Sequence, residues 1–203
     1  LFSEQGYAQT TVGQIAERAG VAVDTIYTSV GRKPAVLREL VETAISGTDQ
    51  AVPAEQRAYV QRIHGADTAR EKLTIYAEAI TAIQIRMAPI FGALRDAAIT
   101  DNDCAALWQE ISDRRAGNML LLAAELRATG DLREDLDDAM VADIIWSMNA
   151  AEYWDLLVTR RGWAADEFRD FLADAWHRLL LAGPPSGARR RKSQKGIDRN
   201  GDE

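Results

Sequence analysis

The sequence predicts an all-α fold. Three observations carry this. Apolar residues recur at three- and four-residue steps along most of the chain, as in Leu73, Tyr76, Ile80, Ile83 and Met87. Strict polar–apolar alternation and Asn-Gly or Asp-Gly hairpin turns are absent. Residues that start and stop helices punctuate the periodic stretches at plausible intervals.

The elements follow in order. The chain opens "LFSEQGY", without Met, as the end of a first helix, and Gly6 fits the position just past its C-terminus. We expect about ten or more residues upstream to complete that helix. A second helix runs from about Val12 to Ala19; Thr11 caps it, Gln14 completes a capping box, and Gly20 ends it. A third covers about Val23 to Val30. A fourth starts near Pro34, which suits a first turn, and stops near Gly47. Residues 47–66 are less regular, with helix expected over 54–64. A long helix spans about Thr68 to Met87, and Pro89 is expected to break or kink it before a short helix, Ile90 to Ile99. Another runs from about Cys104 to Ala128 and stops at Gly130. Asp135 or Asp137 caps the next, which is expected to continue to about Arg161. The last covers about Ala165 to Ala182. "GPPSG" ends it, and the basic stretch beyond reads as a disordered tail.

Composition narrows the function. The 203-residue chain has a net charge of −7, with 27% charged and 47% hydrophobic residues. That balance fits a globular protein and not one that coats nucleic acid non-specifically. Residues 188–196, "ARRRKSQKG", hold five basic groups and no acid, so the rest of the chain sums to −12. No apolar run reaches the ~20 residues of a membrane span. The single cysteine, Cys104, fits a reducing compartment, so the expected location is the cytoplasm. Asp101 and Asp103 beside Cys104 should raise its pKa. His64 and His177 are far apart in sequence and lack acid or cysteine partners at ligand spacing. We therefore expect no metal, no cofactor and no catalytic constellation.

One stretch departs from ordinary solvated helix. "AGVAVDTIYTSVGRK", Ala19 to Lys33, carries few charges on its second helix and presents Thr25, Tyr27, Thr28 and Ser29. Ala16, Gly20 and Ile26 stand at helix-turn-helix spacing: a small residue at the crossing, a glycine for the left-handed turn, and an apolar residue packing back. A helical hairpin in an ordinary bundle meets the same spacing. A helix that enters a major groove, however, must approach bases closely, and short hydroxyls and a tyrosine suit that surface where long acidic or basic side chains do not.

The surrounding residues add a resemblance. "LFSEQGYAQTTVGQIAERAGVAVDTIYTSVGRKPAVLREL" resembles the N-terminal domain of the TetR family of transcriptional repressors. The remainder resembles that family's helical regulatory domain, with "DIIWSMNAAEYWDLLVTRRGW" like its penultimate helix. The resemblance implies a three-helix helix-turn-helix domain (1–46), a TetR-like helical ligand-binding and dimerisation domain (47–183) and the basic tail (184–203). It implies a homodimeric repressor that binds palindromic double-stranded operator DNA and is released by a small-molecule effector. Carried over by position, Thr11, Tyr27 and Lys33 would meet phosphates. Val23, Asp24, Thr28 and Ser29 would face the groove, and Thr25 could do either. Asp24 could accept from a cytosine, repel phosphates, or serve only as a first-turn acid. Two positions depart from the family pattern: Ala22 replaces the usual cap, and Val30 stands where an aromatic is common.

For the effector, Met87, Phe91, Trp108, Met119, Trp146 and Met148 offer an adaptable apolar lining, with Gln84, Asn118, Asn149 and Glu152 as polar companions. The same residues also fit plain core. The dimer is expected through the last two helices, about Asp137 to Arg160 and Ala165 to Ala182, whose apolar faces exceed the needs of one core. The competing reading is a helical ligand-binding or adaptor protein that does not bind DNA.

Overall fold

The computed structural model describes residues 1–47 and 52–183. The basic tail and its expected disorder lie outside the described residues. Among the described residues ten α-helices follow one another: α1 (Phe2–Gln9), α2 (Val12–Ala19), α3 (Val23–Ser29), α4 (Lys33–Ser46), α5 (Ala58–Gly65), α6 (Ala69–Ala98), α7 (Asn102–Ala128), α8 (Asp138–Met148), α9 (Ala151–Trp154) and α10 (Ala165–Leu180). A 3-10 turn, Ala54–Gln56, precedes α5, and a π-helical stretch, Asp155–Thr159, continues α9. Among the described residues there is no strand, only a bridge of Leu132 with Leu181 that ties the end of α10 to the loop after α7.

Local signals set most boundaries. Thr11 accepts from Gln14 N while Gln14 Oε1 accepts from Thr11 N, the expected capping box. Gly20 ends α2 in the left-handed region with φ 68°. Gly6 also has a positive φ, 82°, but one more helical turn follows it. Helix α7 begins two residues before the expected Cys104, because Asp101 accepts from both Asp103 N and Cys104 N and so moves the cap upstream.

Two expectations fail for tertiary reasons. Helix α6 does not break at Pro89 but runs through it for 30 residues. The carbonyl that the proline leaves unbonded belongs to Ile85, a residue 57% exposed, so water can satisfy it, while buried Met87 and Phe91 clamp both sides. The helix expected from 135 to 161 ends instead at Met148. Asn149 there leaves helical geometry, with φ −88° and ψ 2°, and is 2% exposed. Its carbonyl accepts from Gln84 Nε2 at 2.8 Å and its side chain donates to Tyr76 Oη at 2.7 Å. These bonds hold the break in place.

Two apolar clusters fill the interior. One lies among α5–α10 and centres on Leu73, Tyr76, Leu126, Phe168 and Trp176. The other joins Phe2 and Tyr7 of α1 and Leu37 and Val41 of α4 to Leu94 and Ala97 of α6 and Leu107 and Ile111 of α7. Thus α1 and α4 pack on the far end of α6, and α2–α3 project beyond.

Candidate nucleic-acid interface and effector cavity

The projecting unit has the geometry that its spacing predicts. Ala16 is buried at 2%, Val21 N donates to Ala16 O at 3.0 Å, and on α3 only Ile26 turns partly inward. Every other residue of α3 is exposed, including Val23, Asp24, Thr25, Tyr27, Thr28 and Ser29. Tyr27 is half exposed. Thr28 Oγ1 donates to Asp24 O at 2.9 Å. Its hydrogen is therefore spent within the helix, and toward a partner it offers lone pairs and a methyl group. Ala22 gives α3 no side-chain cap, and Val30 stays exposed, so both departures from the family pattern thin this unit.

Lys33 sits differently from its expected place on a phosphate. Its Nζ donates to Tyr7 O at 2.9 Å and to Thr10 O at 3.1 Å, and it lies 4.0 Å from the centroid of the Tyr7 ring. Two of its three hydrogens thus satisfy carbonyls at the end of α1. The start of α4 offers few free amides: Pro34 has none, and Ala35 N donates to Arg32 O at 2.8 Å.

Contacts then tie this unit to the larger bundle. Tyr7 Oη donates to Asp101 Oδ2 at 3.1 Å, at the cap of α7. Arg38 of α4 forms a bidentate pair with Glu110 of α7 at 2.7 and 2.8 Å, and Arg114 of α7 pairs with Glu42 of α4 at 2.6 Å. The Asp101 carboxyl lies below its ordinary range, chiefly because it accepts from the Cys104 amide. Burial, then the neighbouring Asp101 and Asp103, push the Cys104 thiol up. Its side chain is fully buried.

Beyond α4 lies a cavity of about 670 Å³, in the range of small-molecule sites. Its wall is largely apolar, with Ile80, Ile83, Met87, Phe91 and Leu122 among its residues. Of the residues expected to line an effector site, Met87, Phe91, Met119 and Asn149 are in this wall, and Met148 is not. Trp108 instead borders a second hollow of about 370 Å³, on the other side of Phe91. Trp146 is in neither wall; its ring stacks under the Arg115 guanidinium at 5.2 Å. The polar companions divide likewise: Gln84 and Asn118 join the first wall, Glu152 the second.

Asn149 organises the polar end. Its Oδ1 accepts from Arg115 at 2.5 Å, and Arg115 also donates to Trp146 O at 2.9 Å. Gln84 Nε2 is committed to Asn149 O, and its Oε1 is buried without a partner. Burial raises the Tyr76 phenol and lowers the Arg115 guanidinium. Sequence reasoning missed Arg115, because its role arises only where α7 meets the break after α8.

Residues 1–40 match the family described as bacterial regulatory proteins, tetR family. The chain carries a TetR-family helix-turn-helix domain. No curated protein matches the whole sequence closely enough to count as a relative. Among solved structures, a protein described as a TetR-family transcriptional regulator from Rhodococcus sp. is 17% identical, with TM-score 0.67 over 89% of this chain and 92% of that one. A transcriptional regulator from Saccharomonospora viridis, in complex with choline, is 18% identical, with TM-score 0.66 over 90% and 93%. A third structure, described as the molecular basis for control of antibiotic production by bacterial hormones, is 20% identical, with TM-score 0.54 over 89% and 92%. At such identities the likeness is one of fold, and the fold is that of TetR-family regulators from α1 to α10. Among the described residues no helix is long and apolar enough to cross a membrane, and no group of three or more His, Cys, Asp or Glu could hold a metal ion.

Proposed function

We propose that this protein is a cytoplasmic, ligand-responsive transcriptional repressor that binds palindromic operator DNA as a homodimer and leaves it when an effector fills the cavity. The observation that carries the reading is the outer face of α3, where all but Ile26 is exposed and hydroxyl groups take the place of long charged side chains. Such a face admits the close approach that a major groove requires. On this reading Thr11 and Tyr27 meet the phosphate backbone, and Val23, Asp24, Thr25, Thr28 and Ser29 lie toward base edges. Lys33 fixes the end of α1 against α4 and has one hydrogen left for a phosphate.

Dimerisation is assigned to the last two helical segments. Met140 and Leu156 are each 52% exposed and Leu179 is 42% exposed, apolar surface that a partner copy would cover. The regulatory link is short. Glu42 and Ile45 of α4 line the cavity, so an effector there lies against the helix that leads out of the DNA-binding domain. The Glu42–Arg114 and Arg38–Glu110 pairs would carry a shift of α7 to α4 and thereby change the spacing of two recognition helices. The small-molecule complex of the Saccharomonospora viridis regulator supports a ligand role for this fold.

Selection of bound fragments from random DNA, followed by titration at two salt concentrations, tests the reading. A palindromic consensus whose affinity falls steeply with salt is the expected result. No enrichment would favour the helical ligand-binding or adaptor protein, for which the near neutrality of residues 1–46, with four basic and five acidic side chains, speaks.

A further inference from the structure

The geometry points to an amphipathic carboxylate, an apolar body with one acid group, as the class of effector, its carboxylate held by Arg115. This rests on the reading of the cavity as the effector site and deepens it. The charges around the cavity decide the sign. Of its three carboxylates, the exposed Glu55 pairs with no cation among the described residues, whereas Glu42 is engaged by Arg114 at 2.6 Å and Glu125 by His64 at 2.9 Å and Lys72 at 3.6 Å. Arg115 is also in the wall and is half-buried, yet no carboxylate lies within 4 Å of it among the described residues. Its contacts are two neutral oxygens, Trp146 O and Asn149 Oδ1, and the Trp146 ring.

A half-buried guanidinium with no carboxylate in ion-pair contact carries a desolvation cost that the more distant Glu152 offsets only in part, and a carboxylate that accepts its remaining N–H groups removes that cost. Desolvation acts on Arg115 in the same direction, lowering its pKa. Around this polar end the wall is aliphatic and aromatic, which suits the body of an amphiphile and not a small polar anion. A quaternary ammonium fits poorly. Tyr76 already stacks on Trp176 at 5.6 Å and Phe91 packs on Trp108 at 5.1 Å, the less exposed carboxylates Glu42 and Glu125 are taken, Glu55 lies in solvent, and Arg115 would repel the ligand.

The test compares three probes with one tail: octanoate, 1-octanol and octyltrimethylammonium, titrated calorimetrically into the full-length protein. Octanoate should bind at least about tenfold tighter than octanol, and the ammonium most weakly. Arg115→Gln should weaken octanoate by about the same factor and leave octanol unchanged, which also shows that the variant is folded. Ile83→Trp, which fills the cavity, should abolish both. Tightest binding by the ammonium or the alcohol, or octanoate binding untouched by Arg115→Gln, overturns the acid class while the cavity stands as a ligand site. Binding that survives Ile83→Trp, or no binding of any probe, overturns the class and the cavity together.

Discussion

The helix-turn-helix unit and the larger helical bundle are stabilised in opposite ways. Helices α2 and α3 contribute one fully buried side chain between them, Ala16, whereas α6 alone buries fourteen residues. The bundle is held by core, and the small unit by caps and point contacts: the Thr11–Gln14 box, the Arg18–Glu4 pair and Lys33 on the carbonyls of α1. On the proposed function α3 must meet DNA and cannot also be buried, so it borrows its rigidity from outside itself. A helix cap of the Thr11 kind is worth about 1 kcal/mol and the exposed Arg18–Glu4 pair is screened by water, which places α2–α3 among the first parts to open.

The largest effect that would sharpen this contrast belongs to the bundle. Asn149→Ala should lower stability by about 3 kcal/mol, read from chemical denaturation, because Arg115, Gln84 and Tyr76 lose a shared buried partner. A loss below about 0.5 kcal/mol would show that water replaces the side chain at the break. On the proposed dimer face, Leu156→Asp should shift the protein toward monomer in light scattering at micromolar concentration. A wild-type monomer under the same conditions would remove the two-fold reading altogether.

Smaller effects belong to the reading unit. Lys33→Ala should cost roughly 1 to 2 kcal/mol of its local stability, seen as faster amide exchange in α1–α3, and should weaken every DNA sequence alike. A salt slope lower by about one in that variant would add a phosphate to its partners; an unchanged slope would leave it purely structural. Asp101 should make the junction sensitive to acid. Its carboxyl is depressed in the folded state, so its contribution is present above the ordinary carboxylate range and is lost as pH falls through the depressed value. Melting curves between about pH 6 and about pH 3 should show a smaller acid loss for Asp101→Asn than for the wild type. The smallest changes are those of specificity. Thr28→Ala and Ser29→Ala should re-rank a panel of half-site variants, while Tyr27→Phe shifts all of them together by about 1 kcal/mol.

What could be read from the sequence follows the range of the interactions. The Thr11–Gln14 box, the turn at Gly20 and the inward Ile26 depend on neighbours within ten residues, and all were legible. Pro89 misled because local chemistry favours a break, and only the packing of Met87 and Phe91 overrides it. Asn149 was flagged as polar, but its place as the end of α8 depends on Gln84 and Tyr76, more than sixty residues away. Trp146 was expected to face a ligand. It instead backs Arg115, a residue that carries no signal of its own in a run of charged helix.

Helix α6 is also a beam. Its 30 residues, at about 1.5 Å each, extend about 45 Å, from beneath α10 to the packing site of α1 and α4. The cavity wall occupies its middle, up to Met87 and Phe91, and the segment from Leu94 to Ala97 bears the DNA-reading unit. A tilt of only about 5° about the centre displaces each end by about 2 Å, by the same rise per residue. Pro89 stands between load and support, where one cross-tie of the beam is missing. The shaft is therefore weakest in bending just where a wedge in the cavity would press on it.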